Sequence, residues 1–260
     1  MGLLERIQQS TPPNDRLTNP EVSSHLVYPV LSAHTGDCQD FLPWSSISED
    51  EDQTVKFRGR KLVQRIVEML LKLYGRPGCP HCRLFGTFGA GLTYLMLAAV
   101  NSLLAAGYPV VWIPIQSGRI RPAFIRNALL LALAARRTTD SETFTDLFHR
   151  CNDDPRDLFR FTNHLADKKI RLIFVYLNFD KATKDDAQFY FNLASGHVFC
   201  MTGNPNSTFC KEGELKPWTI EVFHLKGGLQ DVSLTFFHVF VWKLVIIFTL
   251  GRKKWVVVPV

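Results

Sequence analysis

The chain reads Gly86-Thr87-Phe88-Gly89-Ala90-Gly91-Leu92-Thr93 between a short apolar segment and a longer one, and this stretch decides the predicted fold. It keeps the spacing of a phosphate-binding loop, in which glycine, four residues and a second glycine precede lysine and then serine or threonine. Every defined position matches except the lysine position, which holds Leu92. Taken alone, the stretch also fits an ordinary tight connection between a strand and a helix.

The residues that match this pattern suit a phosphate ligand. Glycines let the backbone fold around a phosphate and point successive N–H groups inward, and the positive end of the following helix adds to the attraction. The hydroxyl of Thr93 is the expected Mg²⁺ ligand. We therefore predict an ATP site with Mg²⁺, formed by Gly86, Gly89, Ala90, Gly91 and Thr93.

The leucine at the lysine position predicts a weakened site. A charged hydrogen bond of the kind that the lysine makes is worth about 1.5 to 3 kcal/mol, so its loss should weaken nucleotide binding roughly ten-fold to a hundred-fold. The rate of hydrolysis should fall by more than the affinity, because the lysine also balances charge as the phosphoryl group leaves. We expect little or no ATPase activity.

The segments around the loop predict an α/β fold. Apolar runs at 83–85, 109–115, 171–177 and 197–201 indicate strands, and the composition of 93–106 indicates a helix that starts at the glycine turn. Continuous apolar runs are typical of parallel strands covered on both faces. The sequence therefore predicts a P-loop NTPase-like domain whose largely parallel sheet is covered by helices.

A second departure concerns the acidic residue that should order the metal. After the apolar run that begins at Ile173, the expected acid position holds Leu177, and the nearest carboxylate, Asp180, comes three places later. An odd offset along an extended strand turns a side chain to the opposite face, unless a turn brings it back. Asp180 and the polar Asn204, which follows the last predicted strand, are the candidate catalytic residues.

Several stretches together resemble a known family. Phe57-Arg58-Gly59-Arg60 resembles the box that opens many ATPase domains of the AAA and STAND type, 171–180 resembles a Walker B strand, and 195–204 resembles a sensor strand. The resemblance extends to the P-loop ATPase region of fungal crinkler-type proteins and covers about 57–230. It rests on Leu84-Phe85-Gly86-Thr87-Phe88-Gly89-Ala90-Gly91, Val110-Val111-Trp112-Ile113-Pro114, Arg126-Asn127-Ala128-Leu129-Leu130 and Ser195-Gly196-His197.

The same resemblance implies secretion into a host cell, because that family joins its ATPase region to a ubiquitin-like N-terminal module in secreted effectors. Residues 1–56 do not resemble that module, and the first residues contain no apolar stretch fit for a signal peptide. From the residues themselves we expect a cytoplasmic protein.

The flanking segments differ in composition from the central domain, 57–230. Residues 1–56 are rich in polar residues and proline, which predicts a disordered arm. Residues 231–260 form an apolar tail with β-prone composition. Within this tail, the length of 234–250 is near the minimum for a segment that spans a bilayer. However, Lys243 lies near the middle of this segment, and basic residues follow the segment. We therefore rank soluble β-segments first and membrane association second.

Charge and cysteine usage indicate few further functions. The net charge of +6 comes from 30 basic and 24 acidic residues scattered along the chain, a pattern that does not favour nucleic-acid binding. The dispersed cysteines are expected to be reduced. Cys79-Pro80-His81-Cys82 has the spacing of a redox pair or half a zinc site, and we interpret it as a solvent-facing loop, because no second clustered pair appears.

Three functions remain open. The first is a degenerate nucleotide-binding switch or interaction module with an unknown protein partner. The second is an active ATPase in which another basic residue, Lys61, Arg119 or Arg121, replaces the lysine. The third is a nucleotide-free scaffold in which Leu92 packs into the emptied pocket. If Leu92 and Leu177 alone silence the site, Leu92→Lys with Leu177→Asp should restore hydrolysis.

Overall fold

The computed structural model describes residues 2–29, 54–86, 91–115, 122–136, 154–203, 220–225 and 236–238. Its helices are α1 (Leu3–Ser10), α2 (Asn14–Thr18), α3 (Leu62–Tyr74), α4 (Leu92–Ala105), α5 (Pro122–Ala135), α6 (Pro155–Asp167) and α7 (Lys184–Leu193). Its strands are β1 (Ser23–Val27), β2 (Thr54–Arg58), β3 (His81–Gly86), β4 (Val110–Pro114), β5 (Ile173–Leu177), β6 (Val198–Gly203), β7 (Ile220–Leu225) and β8 (Phe236–His238), and a short 3₁₀ helix spans Phe179–Lys181.

The central sheet has the order β4-β5-β6-β3-β7-β8. The pairs from β4 to β7 are parallel, and β8 is antiparallel to β7. This confirms the predicted strands in the four apolar runs and the helix that follows the glycine turn. The chain is an α/β protein with a parallel sheet flanked by helices.

Alternate residues of each central strand enter two hydrophobic clusters on opposite faces of the sheet. Trp112 and Val175 lie in the cluster that α3 and α4 cover, whereas Ile113 and Phe174 lie in the cluster that α6 and α7 cover. Because both faces are covered, the strands are apolar throughout, as their continuous sequence pattern predicts. Parallel strands also gather their carboxyl ends at one edge, where the glycine turn lies.

The prediction of a disordered arm over 1–56 is wrong for residues 2–29 and 54–56. Ile7, Leu17 and Leu26 are fully buried in the cluster that also contains α4. β1 pairs with β2 in antiparallel register, from Ser23 opposite Arg58 to Val27 opposite Thr54. The polar average composition concealed a few apolar side chains at the right periods to pack against α4. The division of the remaining chain into a central domain, 57–230, and a tail, 231–260, stays a prediction.

The tail is described only in part. Residues 236–238 join the sheet edge as β8, in agreement with the predicted β-segments, and the rest of 234–250 lies outside the described residues. Among the described helices, none has the length and apolar character needed to cross a bilayer. That 234–250 does not span a membrane stays a prediction.

Candidate functional site

The candidate site lies where β3 ends and α4 begins. Gly86 is the last residue of β3, and Gly91 has the left-handed conformation with φ 70° directly before Leu92 opens the helix. Glycine adopts this conformation without the strain that a Cβ would bring. Thr93 lies half-buried in the first turn of α4. Gly89 and Ala90 lie outside the described residues, so their predicted phosphate contacts stay predictions.

The guanidinium group of Arg60 lies against Gly91. A Cβ built on Gly91 would be 3.1 Å from Nη1 and 3.4 Å from Nη2 of Arg60. The side chain of Arg60 is half-buried, which limits its conformations. A positive charge therefore stands at the beginning of α4, next to the position where the phosphate-loop pattern requires lysine.

The backbone around Arg60 is fixed by the N-terminal segment. The N–H of Arg60 donates to the carbonyl of Leu17 at 2.8 Å, and the N–H of Gly59 donates to the carbonyl of Val22 at 3.0 Å. A Cβ on Gly59 would lie 2.1 Å from the carbonyl oxygen of Asn19, so only glycine fits this approach. The segment that was expected to be disordered thus positions Arg60.

The two leucines at the degenerate positions have different surroundings. Leu92 is half-buried and packs at the margin of the core, whereas Leu177 is fully buried within the core. The carbonyl of Leu177 accepts the N–H of Ile115 at 3.0 Å, and Leu177 is the register partner of Pro114 on β4. Leu177 therefore points into packed hydrocarbon, and a carboxylate there would be buried.

The chain turns sharply after β5 and returns Asp180 to the carboxyl edge of the sheet. Asn178 has φ 53°, and the 3₁₀ turn follows at once. A Cβ built on Gly203 would lie 3.0 Å from Oδ1 of Asp180. Gly203 is in turn the register partner of Phe85, the residue before Gly86. The turn thus reverses the unfavourable offset that the sequence indicated for Asp180.

A side-chain hydrogen bond holds this turn. The N–H of Asn178 donates to Oγ1 of Thr202 at 3.2 Å, and Thr202 is 3% exposed. Asn204, the predicted sensor residue two positions after Thr202, lies outside the described residues. Thr202 falls within the stretch 195–204 that resembles a sensor strand, but the sequence does not indicate that its hydroxyl group accepts the N–H of Asn178.

Sequence reasoning also missed Arg60 as the cation near the loop, although the Phe-x-Gly-Arg resemblance included it. Of the predicted substitutes for the lysine, Lys61 is exposed at the start of α3. Arg119 and Arg121 lie outside the described residues. The signal that could have identified Arg60 is the glycine before it, which indicates a close backbone approach.

Cys79-Pro80-His81-Cys82 lies at the amino ends of the strands, and the thiols of Cys79 and Cys82 contact different groups. The thiol of Cys79 contacts the carbonyl of Ala194 at 3.3 Å and Nε2 of His81 at 3.4 Å, while the thiol of Cys82 contacts Sδ of Met69 at 3.3 Å. The interpretation as a solvent-facing loop is wrong, because His81 is 5% exposed and Cys82 is fully buried. In the part of the chain that the structure describes, no cluster suited to a metal ion occurs among His, Cys, Asp and Glu.

Two buried histidines have lowered pKa values. Burial lowers the pKa of His81 to about 4, with the charge of Arg83 adding to the effect. Burial also lowers the pKa of His197 to about 4, although its bond to Thr162 opposes this. Nδ1 of His197 accepts the N–H of Leu172 at 3.3 Å, and Nε2 lies 3.0 Å from the Thr162 carbonyl. Protonation would remove the acceptor that Leu172 uses.

We expect the free energy of unfolding to fall as the pH is lowered from about 6.5 towards 4. In this range the unfolded histidines, with pKa near 6.5, bind protons that the folded ones do not. Each histidine should contribute a loss of about 2 kcal/mol between pH 7 and pH 5. Urea unfolding at both pH values measures the loss. His197→Gln should reduce this pH dependence relative to the parent. Equal pH dependence in the parent and in His197→Gln would contradict the assignment.

No known protein family matches the chain, and no curated protein matches it. Among solved structures, it is similar to a chain in the "Structure of Drosophila ORC bound to poly(dA/dT) DNA and Cdc6 (conformation 1)", with 14% sequence identity and a TM-score of 0.42. The similarity covers 65% of this chain and 28% of the other, so this chain spans well under half of that protein's length. A similarity at this level identifies no family, and the resemblance to fungal crinkler-type proteins stays a prediction.

Proposed function

We propose that the chain binds the phosphates of ATP at the turn between β3 and α4 and acts as a switch or interaction module with little or no hydrolysis. The observation that carries this proposal is the position of the Arg60 guanidinium group, which lies 3.1 Å from where a Cβ on Gly91 would be. A chain that has lost the lysine of the pattern still keeps a cation beside the loop. Arg60 would take over part of the role of that lysine.

The electrostatics of this edge favour a phosphate group. The first N–H groups of α4 have no acceptor within the helix, and they carry the positive end of the helix dipole. Leu92–Ala105 contains no acidic residue in its first turn that would compete for them. A guanidinium group beside them adds N–H donors in a planar arrangement that suits phosphate oxygens. Anions are therefore favoured here over neutral ligands.

The oxygen atoms at this edge suit Mg²⁺. Thr93 follows the loop with a hydroxyl group, and Asp180 brings a carboxylate to the end of β6. Mg²⁺ prefers oxygen ligands and is commonly held by one or two carboxylates together with substrate phosphates. When bound, the ion would neutralise charge between the terminal phosphates. Thr93 and Asp180 would hold it, and Asn204 stays the proposed sensor.

One observation favours the scaffold alternative. Leu92 packs against the core cluster that contains α4, so moving its side chain away from the loop would break apolar contacts. A leucine fixed in this way would narrow the space for phosphate. The active ATPase remains the other alternative, with Arg60 in the place that Lys61, Arg119 or Arg121 was expected to fill.

Replacing Arg60 should weaken ATP binding selectively. Loss of a charged hydrogen bond predicts that Arg60→Ala binds ATP roughly ten-fold to a hundred-fold more weakly. Titration of fluorescent ATP into the full chain measures the affinity. The control is Arg65→Ala, which removes an exposed arginine from α3 and should bind like the parent.

The titration separates the alternatives. Saturable binding by the parent that both variants retain would contradict the role of Arg60. Absence of binding by the parent itself would favour the scaffold. Phosphate release by the parent that Arg60→Ala abolishes would favour the active ATPase.

A further inference from the structure

We infer that Thr202 is a positioning residue whose hydroxyl group holds the turn after β5 and thereby directs Asp180 towards the metal-binding side of the nucleotide site. This inference rests on the proposed function for the identity of the ligand. The position of Asp180 can be tested without any ligand.

The first step concerns the N–H of Asn178. The pairing of β5 with β6 ends at Tyr176 and Met201. Two residues beyond Tyr176, the N–H of Asn178 donates to a side chain, Oγ1 of Thr202, at 3.2 Å. The hydroxyl group of Thr202 therefore extends the connection between the two strands past their last backbone pair.

The second step concerns the conformation that this bond stabilises. Asn178 has φ 53°, a left-handed conformation that asparagine tolerates better than most residues with a side chain. The next residue, Phe179, is 3% exposed and packs against Tyr176, Phe191 and Phe199. The turn is thus held by a hydrogen bond at one end and by aromatic packing at the other.

The third step concerns the space that β6 leaves for the carboxylate. Directly after Thr202, Gly203 has no side chain, and any Cβ there would lie 3.0 Å from Oδ1 of Asp180. Two consecutive residues of β6 therefore act on the same carboxylate. Thr202 holds the turn, and Gly203 leaves room beside the backbone.

The burial of Thr202 separates it from direct ligand contact. At 3% exposure its hydroxyl group is directed to Asn178 and is not available to a nucleotide in solvent. Its effect on the site must pass through the turn. Residues that orient a metal ligand typically change metal affinity about ten-fold to a hundred-fold when they are mutated.

Thr202→Val tests the inference, with Thr202→Ser as its matched control. Valine keeps the shape of threonine but cannot accept the bond, whereas serine keeps the acceptor. Crystal structures of both ligand-free variants should show Asp180 displaced from Gly203 in Thr202→Val and retained in Thr202→Ser. The same position of Asp180 in both variants would overturn the inference.

The second measurement is the Mg²⁺ dependence of ATP binding. We expect Thr202→Val to bind ATP like the parent when Mg²⁺ is chelated, but to require about ten-fold more Mg²⁺ for the increase in affinity. Thr202→Ser should match the parent, and Asp180→Asn should match Thr202→Val. A parental Mg²⁺ requirement in Thr202→Val would also overturn the inference. If Asp180 moves in the crystal but the parent binds no ATP at all, the positioning role stands and the proposed function fails.

Discussion

Leu177→Asp should lower the free energy of unfolding by at least about 3 kcal/mol. Leu177 is fully buried and belongs to the core cluster between the sheet and α4. The substitution removes apolar contacts, leaves unfilled volume and introduces a carboxyl group without a described partner. Each of these effects destabilises the fold, and burial of an unpaired charge is among the few mechanisms that reach such values.

Urea unfolding at pH 7 measures this effect. Leu177→Met is the matched control, because a volume-conserving apolar replacement usually costs less than about 1.5 kcal/mol. Asp180→Asn is a second control at a half-buried position outside the core. A urea midpoint for Leu177→Asp equal to that of Leu177→Met would mean that position 177 faces solvent, contrary to the structure.

This result would change the expected route to a restored ATPase. The sequence pattern suggested Leu92→Lys with Leu177→Asp, on the assumption that position 177 faces the site. Because Leu177 is buried, that double variant should lose stability before it gains hydrolysis. Asp180 is the carboxylate that already lies at the carboxyl edge, so position 177 can stay apolar.

Leu92→Lys should tighten ATP binding about ten-fold. Leu92 is the first residue of α4 and is only half-buried, so a lysine side chain can extend towards solvent. The lysine would add a second cation beside Arg60, and a nucleoside triphosphate carries enough negative charge to interact with both cations. The cost of a positive charge at a helix start is smaller, about 0.3 to 1 kcal/mol.

Titration of fluorescent ATP at low and high salt measures this gain. Leu92→Gln is the control, because it is polar and of similar length but carries no charge. The gain for Leu92→Lys should shrink at high salt, whereas Leu92→Gln should resemble the parent in both conditions. Equal affinities for the two variants at low salt would mean that position 92 does not face the phosphates.

The sequence predicted the sheet well because the strands are buried on both faces. Val110–Pro114 and Ile173–Leu177 are continuous apolar runs, and the composition of 93–106 indicated the helix that follows the glycine turn. The glycine turn was also predictable, since Gly91 has the conformation that glycine favours. These features depend on local composition and spacing alone.

The features that were missed depend on contacts between distant segments. Arg60 lies beside Gly91 because the carbonyl groups of Leu17 and Val22, distant in the sequence, accept the N–H groups of Arg60 and Gly59. Gly59 is the local sign of this approach, but it does not indicate which segment approaches. Likewise, Asp180 returns to the site through the left-handed Asn178, whose N–H donates a hydrogen bond to Thr202 on β6. The average composition of residues 1–56 could not reveal this packing, because a few apolar side chains are enough to dock a segment on an existing core.

The ATP affinity of the variant Arg60→Ala with Leu92→Lys tests the central claim most directly. If Arg60 serves the phosphate loop in place of the missing lysine, a lysine restored at position 92 should recover the affinity that Arg60→Ala loses. We predict binding within about three-fold of the parent, because one charged hydrogen bond replaces another. An affinity as low as that of Arg60→Ala alone would show that the two positions do not share a phosphate ligand, and would contradict the account.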